Sequence, residues 1–269
     1  MKVVQRLGDL RRPCAFVPTM GALHAGHQSL IRIARELCDE VVLSIFVNPL
    51  QFENQEDLAK YPKTPERDEE LAREAGATTL WRPDYEQIYP VNFLKLSAGV
   101  IGESFEGVSR PGHFDGVVTV VNRLFELVHP RYAIFGEKDF QQLFLIRQMS
   151  ALHHPEIEII GAPTVRENSG LALSSRNVRL SSSGMKTARV ISQALHSAES
   201  AESVIAMKER LEKLRSDKNF TVDYAEVIDE ENFQIATEGT ERKRAIVAGW
   251  VEGVRLIDNM AMSRALVRT

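Results

Sequence analysis

The chain is sparing with cysteine, has no long apolar run and carries no excess of positive charge. Each shortage removes a class of function. Only Cys14 and Cys38 occur in 269 residues. They fall in an expected strand and an expected helix and read as small buried hydrophobes of a protein from a reducing compartment. No run of about 18 apolar residues exists, so no membrane span is expected. The opening residues Met-Lys-Val-Val-Gln-Arg lack the apolar core of a signal peptide, which points to the cytoplasm. The 33 Lys and Arg against 37 Asp and Glu leave a net charge of −4, with no basic footprint for nucleic acid. Internal repeats and low-complexity segments are also missing. What is there is ordinary for a globular protein, 43% hydrophobic and 26% charged, long enough for one large domain or two smaller ones.

The stretch around which the chain reads is Val17-Pro18-Thr19-Met20-Gly21-Ala22-Leu23-His24-Ala25-Gly26-His27. An apolar run from Cys14 to Val17 precedes it and suits a buried strand. Residues 28–38 follow, with apolar side chains at 30, 31, 33, 34 and 37 that suit an amphipathic helix. The histidines therefore stand near a strand-to-helix turn, on one face of the first helical turn. Gly21 and Gly26 let a ligand approach the backbone, and a helix N-terminus offers free N–H groups to phosphate. Two imidazoles can donate to phosphate oxygens as charge builds up there. Taken alone, such a pair more often decorates a solvated helix face, and a metal pair is disfavoured because no third ligand is near.

Residues 41–47 form a near-continuous β-branched run, the pattern of a strand buried on both faces of a parallel sheet. It stops at Asn48-Pro49. Ligands of open α/β sheets bind beyond the carboxyl ends of strands, which places Asn48, Gln51 and Phe52 near the histidine turn. Gln51 offers a donor and an acceptor, and a capping role is equally open to it. A polar loop is expected over 53–63, a helix over 65–75 between Pro65 and Gly76, and strands at 78–81 and 93–97. The segment Arg110 to Gly116 carries Arg, His and Asp, and by default decorates the surface before a helix at 117–128. A strand at 131–135 ends in Gly136-Glu137-Lys138-Asp139-Phe140-Gln141-Gln142, where Lys138 is either a solvated charge or a phosphate ligand. A helix at 143–152 and a strand at 157–160 follow. Leu173-Ser174-Ser175-Arg176 puts two hydroxyls beside a guanidinium, a fitting polyphosphate clamp or else a helix cap. Beyond 177 the order changes to helices at 185–198 and 203–215, then strands at 221–228, 244–251 and 254–257. The alternation over 1–177 predicts an α/β doubly wound parallel sheet, and 178–269 a smaller α+β domain.

Taken together, these stretches resemble one family. The order Pro-Thr-Met-Gly, then His-x-Gly-His, is similar to the HxGH signature of nucleotidylyltransferases. Ser44 to Phe52, Asp57 to Pro62, Arg110 to Phe114, Phe135 to Gln142, Leu171 to Asn177 and Ala245 to Asn259 resemble, in order, the motifs of the pantothenate synthetases, AMP-forming pantoate–β-alanine ligases. The resemblance implies a Rossmann-like catalytic domain and a C-terminal lid or dimer-associated domain. It also implies a reaction in which pantoate attacks the α-phosphate of ATP and β-alanine then displaces AMP from pantoyl adenylate. It implies catalytic roles for His27, His24 and Lys138, with His27 as acid or donor. The ATP site would take in Met20, Gly21, Ala22, Leu23, His24, Ala25, Gly26 and His27. It would continue through Gly136, Glu137, Lys138 and Asp139, with Val165 at the adenine and Leu173, Ser174, Ser175 and Arg176 as a mobile clamp. Gln51 and Gln142 would bind pantoate, Gln51 also lying near β-alanine. Mg2+ would travel with ATP, and the protein would be a homodimer.

Two departures stand out. Ser169 occupies a position where the family often has Asp, which bears on a local turn or loop contact and not on the clamp, and Arg67 one where some relatives carry an acid, so no protein ligand to the metal is assigned. A different nucleotidylyltransferase, or a regulatory nucleotide-binding protein, are the competing readings. The first expects basic residues for an acceptor phosphate where this sequence offers Gln51 and Gln142, and the second has no need of both histidines, Lys138 and Ser174-Ser175-Arg176.

Overall fold

The computed structural model describes residues 1–8, 11–53 and 55–262. The chain forms two compact units, Met1–Thr164 and Val165–Thr269.

The first unit is built on a six-stranded sheet. Its strands are β1 (Lys2–Val4), β2 (Cys14–Thr19), β3 (Glu40–Ile45), β4 (Thr79–Trp81), β5 (Tyr132–Gly136) and β6 (Glu158–Ala162). They lie in the order β1-β4-β3-β2-β5-β6, and every pairing is parallel. Strand residues alternate between faces. Ala15, Val17, Val41, Leu43, Leu80 and Ile134 join one apolar cluster with Ile31 and Ala34 of helix α1 (Ala25–Leu37) and Leu71 and Ala72 of helix α3 (Pro65–Ala75). Phe16 and Phe135, one step out of phase, meet Phe125 edge-on at 6.5 and 6.4 Å; Phe125 belongs to helix α7 (His113–Val128). Both faces are covered, as the continuous apolar strands require. Cys14 and Cys38 are free, buried thiols, and burial pushes that of Cys14 up to about 11.

After β2 the chain steps outward through β3 to β4. It then crosses back to place β5 on the other side of β2, so the carboxyl ends of β2 and β5 flank the point where strand order reverses. That is where ligands enter open α/β sheets.

Two expectations for this unit change, and further short elements join them. The N-terminal residues form edge strand β1, paired with β4. The loop at 53–63 contains a short helix α2 (Gln55–Ala59). Tyr85–Ile88 and the segments Gly99–Gly102 and Glu106–Ser109 form three further single turns, α4 to α6. Residues 93–97 are not a strand: Phe93 N–H turns back to the Pro90 carbonyl, and the chain is then held by α7 instead. Leu96 N–H donates to Thr119 Oγ1 at 2.9 Å, and Ala98 N–H to Asp115 Oδ1 at 2.7 Å. Helix α8 (Phe140–His153) then leads to β6.

The second unit packs helices α9 (Ser182–Glu199) and α10 (Val204–Glu212) on an antiparallel sheet of β7 (Thr221–Asp229), β8 (Lys243–Val251) and β9 (Val254–Met262). The expected helix at 203–215 ends in a 3-10 turn, Lys213–Ser216. Sequence character shifts at 177, whereas the break between the units follows Thr164. The reason is that residues 165–177 are bound within the second unit. Arg166 forks onto Asp258 of β9 at 2.6 and 2.9 Å and bridges to Ala172. Asn177 Nδ2 donates to the Ala172 carbonyl.

Candidate active site

The two histidines of the turn after β2 are fixed by amides of the turn itself. His24 is not in the helix but at its N-cap, with extended backbone (φ −143°), and His27 is the third helical residue. Gly26 N–H donates to His24 Nδ1 at 3.1 Å, and His24 N–H donates to His27 Nδ1 at 3.3 Å. The two rings close a reciprocal capping box, a task usually given to Ser or Asp with Glu. Their centroids lie 4.1 Å apart. An Nδ1 that accepts an N–H carries no proton, so each neutral ring holds its proton on Nε2 and can donate from there. Burial, and then the Lys138 charge, lowers the pKa of His24. Burial, and then the His24 neighbour, lowers that of His27 to about 3. Both rings are neutral at physiological pH, so each has an Nε2–H to donate and neither holds a spare proton to act as a cationic acid.

Beneath the turn lies Asp68 of α3, which is buried. Its Oδ2 accepts from Ala22 N–H at 3.1 Å. Its Oδ1 accepts from Leu23 N–H at 2.7 Å and from the Thr64 hydroxyl at 2.9 Å. Gly21 has φ +85°, and a Cβ there would stand 2.9 Å from Asp68 Oδ2, so only glycine fits. Sequence reading missed Asp68. Its Thr-Pro setting suggests only a helix start, and the partner amides lie more than forty positions away.

Lys138 sits on the 3-10 turn Glu137–Asp139 at the end of β5, with Nζ 3.5 Å from Asp139 Oδ1. Because β5 pairs with β2, this turn opens beside the histidine turn, and the Lys138 charge is felt at both imidazoles. The neighbouring glutamines separate. Gln141 is buried and structural: its Nε2 donates to Ile101 and Ser104 carbonyls, and its Oε1 accepts from Glu106 N–H. Gln142 is half-buried on the first turn of α8.

Gln51 ends the 3-10 turn Pro49–Gln51 that follows β3. Its Nε2 lies 3.1 Å from Met20 Sδ, which joins this turn to the residue before Gly21. The segment from Arg110 to Gly116 is not surface decoration, since it carries the Gln51 turn. His113 Nδ1 donates to the Gln51 carbonyl at 2.8 Å, leaving Nε2 to accept from Arg110 Nη1 at 3.0 Å. A Cβ on Gly116 would fall 2.3 Å from the Leu50 carbonyl oxygen, so α7 touches this turn backbone to backbone.

Val165 and Leu173 to Arg176 belong to the second unit. Leu173 N–H donates to the Val165 carbonyl at 2.9 Å, tying the two together. Ser174 Oγ accepts from Arg176 N–H at 3.2 Å, and Arg176 Nη1 reaches the Arg255 carbonyl at 3.4 Å. Ser169 donates to Glu167 within the preceding turn. Arg67 pairs with Glu70 on the exposed side of α3.

The family model described as Pantoate-beta-alanine ligase matches residues 2–261. The pantothenate synthetase of Acidothermus cellulolyticus is 45% identical over 98% of this chain and 92% of its own length. The structure of pantothenate synthetase from Thermus thermophilus superposes with a TM-score of 0.92 at 42% identity, covering 97% of this chain and 99% of that one. A pantoate-β-alanine ligase from Francisella tularensis, solved with β-γ ATP and β-alanine, gives a TM-score of 0.81 at 34% identity over 97% of this chain and 98% of its own. Relatives of this identity and coverage set aside both the other nucleotidylyltransferases and the non-catalytic reading. The chain belongs to the pantoate–β-alanine ligase family, whose members use ATP to join pantoate to β-alanine.

Proposed function

We propose that the turn after β2 and the turn after β5 stabilise phosphoryl charge, and that the Gln51 turn holds the acid. The observation that carries this reading is the pair of neutral imidazoles whose Nδ1 atoms are occupied by backbone N–H groups, which leaves two Nε2–H donors beside Lys138. The pantoate carboxylate attacks the α-phosphorus, the new O–P bond replaces the bond to the β-phosphate, and pyrophosphate leaves with the electron pair. The equatorial oxygens gain negative charge as this happens. Donors already in place meet it without rearranging, and no covalent nucleophile is required. The β-alanine amine then attacks the acyl carbon, AMP leaves, and the nitrogen gives up a proton.

Met20 to His27, Gly136 to Asp139, and Val165 with Leu173 to Arg176 are the proposed ATP residues. Their amides, imidazoles, hydroxyls, ammonium and guanidinium suit an anion. Mg2+ would arrive as part of the nucleotide, because the groups of the turn after β2 are donors and both Asp68 oxygens are engaged. Gln51 and Gln142 are the proposed pantoate residues; an amide holds a hydroxy acid without adding charge. No helix among the described residues is long and apolar enough to cross a membrane. A cytoplasmic homodimer is proposed on the resemblance to the family, and sedimentation as a monomer at working concentration would overturn the dimer.

AMP formation from ATP tests the function. AMP that accumulates with pantothenate only when ATP, pantoate and β-alanine are all present is the expected result. AMP formed without pantoate, or with a phosphorylated acceptor in its place, would overturn the assignment.

A further inference from the structure

A glutamine amide can present either of its ends, and at Gln51 the choice decides what the site recognises. Asn48 and three groups that hold it make that choice. Asn48 is buried. Its Oδ1 accepts from Leu50 N–H at 3.2 Å and lies 2.6 Å from the Tyr89 hydroxyl. Its Nδ2 donates to the Gly116 carbonyl at 3.1 Å and to Gln51 Oε1 at 3.0 Å. A backbone N–H can only donate and a backbone carbonyl can only accept, so Leu50 and Gly116 fix which end of Asn48 is oxygen. Tyr89 must then donate its proton to Oδ1, and its bond is the shortest of the four. Burial raises the Tyr89 pKa above the ordinary phenol range, so the hydroxyl keeps its proton at any working pH. Asn48 Nδ2 in turn demands an oxygen from Gln51. The Gln51 amide is left with its NH2 end directed at Met20 Sδ, a thioether and thus a weak acceptor. A weak partner held at hydrogen-bond distance is readily exchanged for a strong one.

We propose that Asn48, oriented by Leu50 and Gly116 and anchored by the Tyr89 hydroxyl as a positioning residue, locks Gln51 with its NH2 end outward, making this wall a donor selective for a carboxylate or hydroxyl oxygen of the acid substrate. The inference rests on the reading of Gln51 as a pantoate residue. Tyr89 itself touches no reacting atom. Its ring is held independently by Phe93 at 4.5 Å, Tyr85 at 5.1 Å and Phe46 at 6.1 Å, so removing the hydroxyl alone leaves the packing in place.

The test is a double-mutant cycle on the full chain with Tyr89→Phe, Gln51→Ala and the pair, measuring KM for pantoate and for ATP, kcat and the melting temperature. Tyr89→Phe is expected to raise the pantoate KM about tenfold, the scale of one buried hydrogen bond, with the ATP KM unchanged. In the Gln51→Ala background the same change is expected to add nothing. A pantoate KM within twofold of wild type, or an equal rise in both backgrounds, would overturn the inference. If Gln51→Ala itself leaves the pantoate KM unchanged, the assignment of Gln51 falls, and this inference with it. Should Tyr89→Phe melt early, proton NMR of the wild-type protein reads the orientation directly. A nuclear Overhauser contact from the Gln51 side-chain NH2 to the Met20 methyl is expected, and its absence beside an assigned Gln51 amide would count against the lock.

Discussion

The histidine turn and the Gln51 turn both hold polar side chains in a single orientation, and they do so from opposite ranges. His24 and His27 are fixed by N–H groups two and three residues away. Gln51 is fixed by Asn48, but Asn48 is fixed by Tyr89 and Gly116, 41 and 68 positions along the chain. A local device survives small movements of the fold. A device assembled from distant elements fails when any of those elements shifts.

The largest effect is expected at the local device. His27→Ala removes the proposed transition-state donor and half of the capping box together, and kcat is expected to fall about 10²–10³-fold. Pre-steady-state measurement of pyrophosphate release would locate the loss in the first chemical step. Unchanged release would mean that the imidazole serves the helix alone.

The distant device is broken most directly at Gly116. A methyl there collides with the Leu50 carbonyl and must push the Gln51 turn away from α7. Gly116→Ala is expected to cost about 1–3 kcal/mol in denaturant unfolding and to raise the pantoate KM while leaving the ATP KM alone. A parallel rise in both would mean that the two turns move as one body.

The smallest effect is a pH dependence of the histidine turn. An unfolded chain binds a proton at His27 below about pH 6.5, but the folded protein refuses it until about pH 3. Between these values the unfolded state holds more protons, so this contribution to stability is complete above pH 6.5 and is lost as pH falls toward 3. His27→Gln is therefore expected to flatten the decline of unfolding free energy between pH 7 and 5. An identical decline in the two proteins would place the burden on other groups.

The same contrast of range separates what was legible in the sequence from what was not. Strands β2, β3 and β5 could be read because burial on both faces leaves an uninterrupted apolar run. The histidine pair could be read because both rings and the amides that fix them lie within residues 24–27, whereas Asp68, which holds Ala22 and Leu23 from α3, could not. Residues 93–97 misled because an extended segment satisfied by Thr119 and Asp115 has the same composition as a strand satisfied by a neighbour. Arg110 to Gly116 looked like surface because only the fold brings His113 to the Gln51 carbonyl. Gln141 and Gln142 are chemically identical and adjacent, and nothing short of the packing around Ile101 and Ser104 makes one of them structural.

For the nucleotide site proposed at the turn after β2, Asp68 bears on the thermodynamics of capture. With Ala22 and Leu23 already bound to a carboxylate on α3, the turn acquires its shape when the first unit folds, and no conformational search is left for the moment of encounter. The ordering entropy that a loose glycine-containing turn would lose on binding is already lost in the folding of the unit. The affinity of the turn for phosphate is in this sense tied to the stability of a helix that need not itself contact the nucleotide.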